Sequence, residues 1–131
     1  MVEEVIEEAL DAETSRALAE ALDEGWLQRH RLTELEELRL FGELSARLDR
    51  GEAATLAAAK VHGWRVAVDE RVARRIAKEE LQLTVTGTIG ILVRAVRQGL
   101  CTVEEADRYL QLMIEQARYY SPIKSIREVL E

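Results

Sequence analysis

Glu52 and Asp69 are the residues whose types and spacing point most directly to chemistry, with Glu4 as a third. Asp69 follows the apolar run Val66, Ala67, Val68, which itself follows the helix-stopping Gly63. Such a run reads as a parallel strand buried on both faces. Asp69 is then the first residue beyond the strand's carboxyl end, the edge at which open α/β sheets gather loops and bind ligands. Glu52 falls in the first turn of the preceding helix, and Glu4 in a helix that starts almost at Met1. Carboxylates converging on such an edge suit Mg²⁺ or Mn²⁺, hard cations that take oxygen ligands and keep several waters. A metal there would activate water and stabilise charge on a phosphodiester. Each acid also has a plain structural alternative. Asp69 would N-cap a helix starting at Glu70, Glu52 would complete a capping box with Asp49, and Glu4 would be one of four acids on a solvated helix face.

Around these acids lie Arg71, Arg74, Arg75 and Lys78 on the next helix, Arg94 and Arg97 on a later one, and Thr86 and Thr88 at the end of the neighbouring strand. The cations are either holders of nucleic-acid backbone or members of a charged face paired with surface acids such as Glu79 and Glu80. The threonine hydroxyls either bind a phosphate or a metal-bound water, or cap the helix that begins at Ile89. His30 and His62 lie in different elements and show no metal-ligand spacing. Trp26 and Trp64 each follow a helix-stopping glycine and read as anchors of strand starts in the core. Cys101 is the only cysteine; it excludes an intrachain disulfide and reads as an apolar filler near a helix start. Glycine-rich phosphate loops, nucleophile elbows and zinc motifs are absent from the sequence.

The elements that must position these groups follow from periodicity. Val2, Val5, Ile6, Ala9 and Leu10 form the stripe of an amphipathic helix. A second helix runs from about Thr14 to Glu24 and stops at Gly25. Trp26 to Leu32 reads as a weak edge strand, interrupted by Gln28, Arg29, His30 and Arg31. Thr33 with Glu36 has capping-box spacing and opens a helix carrying Leu35, Leu38, Phe41, Leu44 and Leu48. A helix from near Arg50 to Gly63, the strand to Val68, a helix from Glu70 to about Leu81 and a strand at Leu83–Val85 come next. Helices from Ile89 to Gln98 and from Thr102 to about Tyr120 follow, and Ser121 with Pro122 marks a last short helix. Alternating strands and helices mean an α/β fold with a parallel sheet.

The 131 residues suit one domain, spanning 1–131, with nearly half the residues apolar and a third charged. A net charge of −7 argues against a nucleic-acid coat protein, whose affinity comes from many Lys and Arg contacts to phosphate. It leaves room for a nuclease, which gathers its few cations beside an acidic metal pocket. No apolar run approaches the roughly 20 residues that span a bilayer, and the acidic start after Met1 lacks the pattern of a signal peptide, so a cytoplasmic protein with no membrane partner is expected.

The runs GEAATLAAAK, VAVDERVARRIA and LTVTGTIGILVRA, with QGL after them, resemble the C-terminal two thirds of a PIN domain, in particular an uncharacterised prokaryotic branch close to VapC-type toxins. The resemblance covers essentially the whole chain. It implies a helix-rich three-layer α/β fold with a small parallel sheet, and an acidic cluster that binds Mg²⁺ or Mn²⁺ and hydrolyses RNA. The family's acids match Glu4 in VEEVI, Glu52 in RGEAATLA, where Asp is more usual, and Asp69 in VDERVAR. They are the expected catalytic and metal-binding residues, with Arg71, Arg74, Arg75, Thr86 and Thr88 as RNA contacts.

The family's first strand, with its central Asp, and the helix and second strand after it have no counterpart here, so the resemblance implies an N-terminally truncated domain. A fragment of a longer protein, a sheet completed by another copy, and a smaller closed variant are the competing explanations. Exposed strand edges favour a homo-oligomer, and toxin-like relatives imply RNA and an antitoxin-like protein as partners. The alternative function is an inert PIN remnant serving as an oligomerisation or protein-binding module. A third, blander reading is a small α/β protein whose acids only cap helices.

Overall fold

The computed structural model describes residues 1–9 and 11–130 and divides into two compact units, 1–85 and 86–131. The Leu10 position of the N-terminal stripe lies outside the described residues.

The first unit is built around one alanine-rich helix. Helices α1 (Glu3–Glu7), α2 (Ala12–Glu24), α3 (Leu35–Leu44) and α4 (Arg50–His62) precede strand β1 (Val66–Ala67). Ala53, Ala54, Leu56, Ala57, Ala58 and Ala59 of α4 are at most 1% exposed. Side chains this small let neighbouring helices approach closely, and α3 and α1 both pack on α4. One core cluster joins Leu44, Leu48, Leu56, Val66 and Ile76, and a second joins Val2 and Leu32 to Ala54 and Ala58. The N–H of Gly51, in the first turn of α4, is bonded by the Glu8 carboxylate at 3.0 Å. A Cβ at Gly51 would lie 2.6–2.9 Å from that carboxylate, so only glycine admits the contact.

After β1 come α5 (Arg71–Arg75), a π-helical turn (Ile76–Glu80) and β2 (Val85–Thr86). β1 and β2 form a two-stranded parallel sheet, with the Val66 N–H bonded to the Thr84 carbonyl at 3.0 Å. The fold is therefore helix-rich α/β with a small parallel sheet. In the second unit, α6 (Thr88–Arg97) and α7 (Val103–Gln116) pack with a 3₁₀ turn (Ile126–Glu128) around Leu92, Val93, Ala106, Leu110 and Ile126. Cys101 lies at the edge of that cluster as filler.

Several local expectations are corrected. Residues 26–32 form no strand; His30 makes only an isolated parallel bridge with Val2. The polar run Gln28–Arg31 has too little apolar content to bury a strand face. Trp26 and Trp64 are exposed at 72% and 47%, not core anchors: the Trp26 indole N–H donates to Glu24, and Trp64 stacks on His62. β1 is only two residues long, and Ala67 is exposed, so it is buried on one side only.

The α3 capping box pairs Glu34 with Glu37 rather than Thr33 with Glu36. α2 starts at Ala12 because the Asp11 carboxylate accepts from the N–H groups of Glu13 and Thr14. The N-cap of α5 is Glu70, not Asp69. Ser125 rather than Ser121 caps the final turn, which is 3₁₀. α7 is capped by Thr102 and Glu105 as expected, but ends at Gln116.

Candidate functional site

The plain structural jobs open to Glu4, Glu52 and Asp69 are not the ones the fold assigns. Glu4 is half-buried on α1, and its Oε2 is buried with no hydrogen-bond partner among the described residues. A buried carboxylate oxygen left in this state is costly unless something else supplies positive charge. Glu4 borders a pocket of about 500 Å³ whose walls include Glu3, Glu7, Arg31 and Arg50. Arg50 opens α4, the helix that carries Glu52, while Glu52 itself does not line this pocket.

Asp49 caps α4 by accepting the Glu52 N–H at 2.9 Å, yet no return bond from the Glu52 carboxylate closes a capping box among the described residues. Burial pushes the Glu52 carboxyl above its usual range, and the neighbouring charges of Asp49 and Glu70 push it further. Glu70 itself caps α5, accepting from the N–H groups of Val72 and Ala73 at 3.0 and 2.7 Å, which hold its carboxyl below the usual range. Asp69 is exposed and adjoins Glu70 in the chain, just past β1. Glu52 and Glu70, in the first turn of α4 and at the N-cap of α5, are near enough for their charges to repel.

In donor type, though not in spacing, this set suits a hard divalent cation. It is all oxygen, one buried oxygen lacks a partner, and one carboxylate is crowded by like charge that a cation would relieve. The ligand atoms of Glu4, Glu52 and Asp69 do not all come within 4.8 Å of one another. Among the described residues, these three carboxylates therefore do not form a preassembled metal site.

The basic residues divide. Arg74 is half-buried, and its Nη1 donates to the Val68 carbonyl at 2.9 Å, bracing the exit of β1. Arg75 is exposed and interacts favourably with Glu70 and Glu80. Arg71 is exposed. In the second unit, Gly87 is the N-cap of α6, so neither Thr86 nor Thr88 holds the cap position. Thr86 Oγ1 sits over Gly90, 2.4 Å from where a Cβ would be.

Sequence reasoning passed over a second constellation. His30, Glu37 and His62 are the one set of three potential ligands among the described residues whose ligand atoms lie within 4.8 Å. Glu37 is fully buried. Its Oε1 accepts from the N–H groups of Thr33 and Glu34 at 3.2 and 3.1 Å, and its Oε2 lies 2.6 Å from His30 Nε2 and 3.2 Å from His62 Nε2. Burial alone would raise the Glu37 carboxyl. Hydrogen bonds from His30, Glu34 and Thr33, with the attraction of His30, outweigh it and bring the carboxyl down to about 2. His30 and His62 are 32 positions apart, so no local spacing signals the cluster. The sequence clue was the acidic pair Glu36–Glu37 at a helix start, read one residue out of register.

The profile of the PIN-domain family matches residues 1–131. No curated protein and no solved structure matches the chain. No helix among the described residues is long and apolar enough to cross a membrane.

Proposed function

The chain belongs to the PIN-domain family, a family of nuclease type, and on that premise we propose that it is a metal-dependent ribonuclease, of toxin type, in which Asp69, Glu52 and Glu4 hold Mg²⁺ or Mn²⁺. The observation that carries the reading is the Glu4 oxygen that is buried without a partner beside the start of α4. The charge crowding at Glu52 points the same way. Bound there, the metal would lower the pKa of a water and offset charge on the phosphodiester.

The protein's own contribution is positional. Asp49 and Glu70 spend their carboxylates on helix N-termini, which fixes the backbone from which Glu52 and Asp69 project. Arg74 holds the end of β1, and with it the start of the Asp69 segment. Arg71 and Arg75, exposed on α5, are proposed contacts to RNA phosphates, as are the hydroxyls of Thr86 and Thr88. An antitoxin-like protein and further copies of this chain are the proposed protein partners.

The test is cleavage of a fluorogenic RNA by the purified chain with Mn²⁺, beside EDTA-treated protein and the variants Asp69→Asn, Glu52→Gln and Glu4→Gln. Mn²⁺-dependent cleavage that EDTA and each substitution abolish is the expected result. A folded parent that binds Mn²⁺ and leaves the RNA intact would overturn the enzyme reading in favour of an inert oligomerisation or binding module.

A further inference from the structure

His30, Glu37 and His62 come from three separate segments: the irregular stretch before α3, the first turn of α3, and the last residue of α4. Both imidazoles aim Nε2 at the same carboxylate oxygen, Glu37 Oε2, at 2.6 and 3.2 Å. The other Glu37 oxygen is anchored by two backbone N–H groups, so the carboxylate cannot rotate away. Aromatic packing orients the rings. His62 stacks on Trp64 with centroids 4.4 Å apart and planes 19° from parallel, while His30 stands edge-on to both rings at 5.1 and 5.2 Å. Trp64 is only half covered, and packing this pair of imidazoles gives the exposed indole a purpose that core burial does not.

From this geometry we propose that His30, Glu37 and His62 form a transition-metal site of Zn²⁺ type, separate from the carboxylate site and not dependent on the ribonuclease reading. Two imidazole nitrogens and one carboxylate oxygen make a borderline donor set that suits Zn²⁺ rather than Mg²⁺. Tetrahedral Zn²⁺ with bonds of about 2.0–2.1 Å places its ligand atoms about 3.3 Å apart. The His62–Glu37 separation already matches at 3.2 Å, and the His30–Glu37 separation must open from 2.6 Å when the ion binds.

The two histidine side chains are 24% and 26% exposed, so the cluster is not sealed from solvent. His62 also ends α4, where the free carbonyls of the helix terminus favour a cation. The site would clamp the 26–32 segment and α3 to the end of α4, stabilising the first unit by mass action when Zn²⁺ is bound.

Calorimetric titration of EDTA-stripped, dialysed full-length chain with ZnCl₂ tests the proposal. With excess MgCl₂ occupying the carboxylate site, one Zn²⁺ per chain and a higher melting temperature are expected. His30→Gln and His62→Gln, shown to be folded by circular dichroism, should each weaken binding by more than about 100-fold, beyond the loss of an outer-shell partner. Co²⁺ should give the visible bands of a four-coordinate ion in the parent and not in the two variants. Asp69→Asn and Glu52→Gln should bind Zn²⁺ like the parent. No Zn²⁺ binding by the folded parent, undiminished binding by the histidine variants, or loss of binding in Asp69→Asn would each overturn the proposal. Failure of RNA cleavage would leave it standing.

Discussion

Replacing Glu37 by alanine, beside the same change at Glu36, separates two readings of one helix start that differ by a single residue. Glu37 is fully buried and engages four hydrogen-bonding groups: the N–H groups of Thr33 and Glu34 and the Nε2 atoms of His30 and His62. Glu37→Ala strips the α3 terminus of its side-chain acceptor, which costs about 1 kcal/mol. It also leaves two imidazoles without their carboxylate, and breaking a buried charge-assisted pair costs about 3–5 kcal/mol in all. Glu36 is exposed and pairs only with exposed Arg39, so Glu36→Ala should leave stability within error of the parent.

The assay is urea unfolding in EDTA, followed by tryptophan fluorescence, because Trp26 and Trp64 both lie in the first unit and report on it alone. With a slope of about 1.5 kcal/mol/M, the midpoint for Glu37→Ala should fall by about 2–3 M. The Glu37 carboxyl drops from 4.5 when unfolded to about 2 when folded. Its contribution is therefore fully present above pH 4.5 and disappears as pH falls toward 2, so the gap between parent and variant should narrow over that interval. Equal midpoints for the two variants, or a larger loss at Glu36, would refute the register of the capping box and the buried cluster together.

Three further outcomes are expected. The Glu52 carboxyl is raised by burial, then by Asp49 and Glu70, so its ionisation weakens the metal-free fold; the penalty is absent below the unfolded value of 4.5 and grows as pH rises through the folded one. Glu52→Gln should then raise the melting temperature at pH 7 in EDTA, lose that advantage below pH 4, and lose it again with Mn²⁺ present. Gly90→Ala should destabilise the second unit by about 1–3 kcal/mol, because the new Cβ meets Thr86 Oγ1 at 2.4 Å, and adding Thr86→Ala should restore stability in thermal denaturation. Leu56→Ala, emptying a fully buried position on α4, should cost about 2–5 kcal/mol in urea titration.

The sequence by itself determined those features that are local. The Asp49–Glu52 spacing marked the start of α4, Gly87–Thr88 and Gly99 bracketed α6, the Thr102–Glu105 pair marked the start of α7, and Gly25 and Gly63 marked the ends of α2 and α4, because caps and left-handed turns involve residues a few positions apart. The motifs around Glu52 and Asp69 carried the family for the same reason: GEAATLA and VDERVAR are contiguous.

What only the tertiary structure decided depends on which distant groups compete for a partner. Whether Asp69 or Glu70 caps α5 turned on which carboxylate meets the N–H groups of Val72 and Ala73, and whether Glu36 or Glu37 closes the α3 box on which side chain the packing directs inward. Two tryptophans expected in the core are exposed, one bonded to Glu24 and the other stacked on His62. His30 and His62, 32 positions apart and unremarkable as a pair, meet only because α4 returns its last turn to the segment that precedes α3. There Glu37 holds both on a single oxygen, a long-range convergence that no periodicity in the chain encodes.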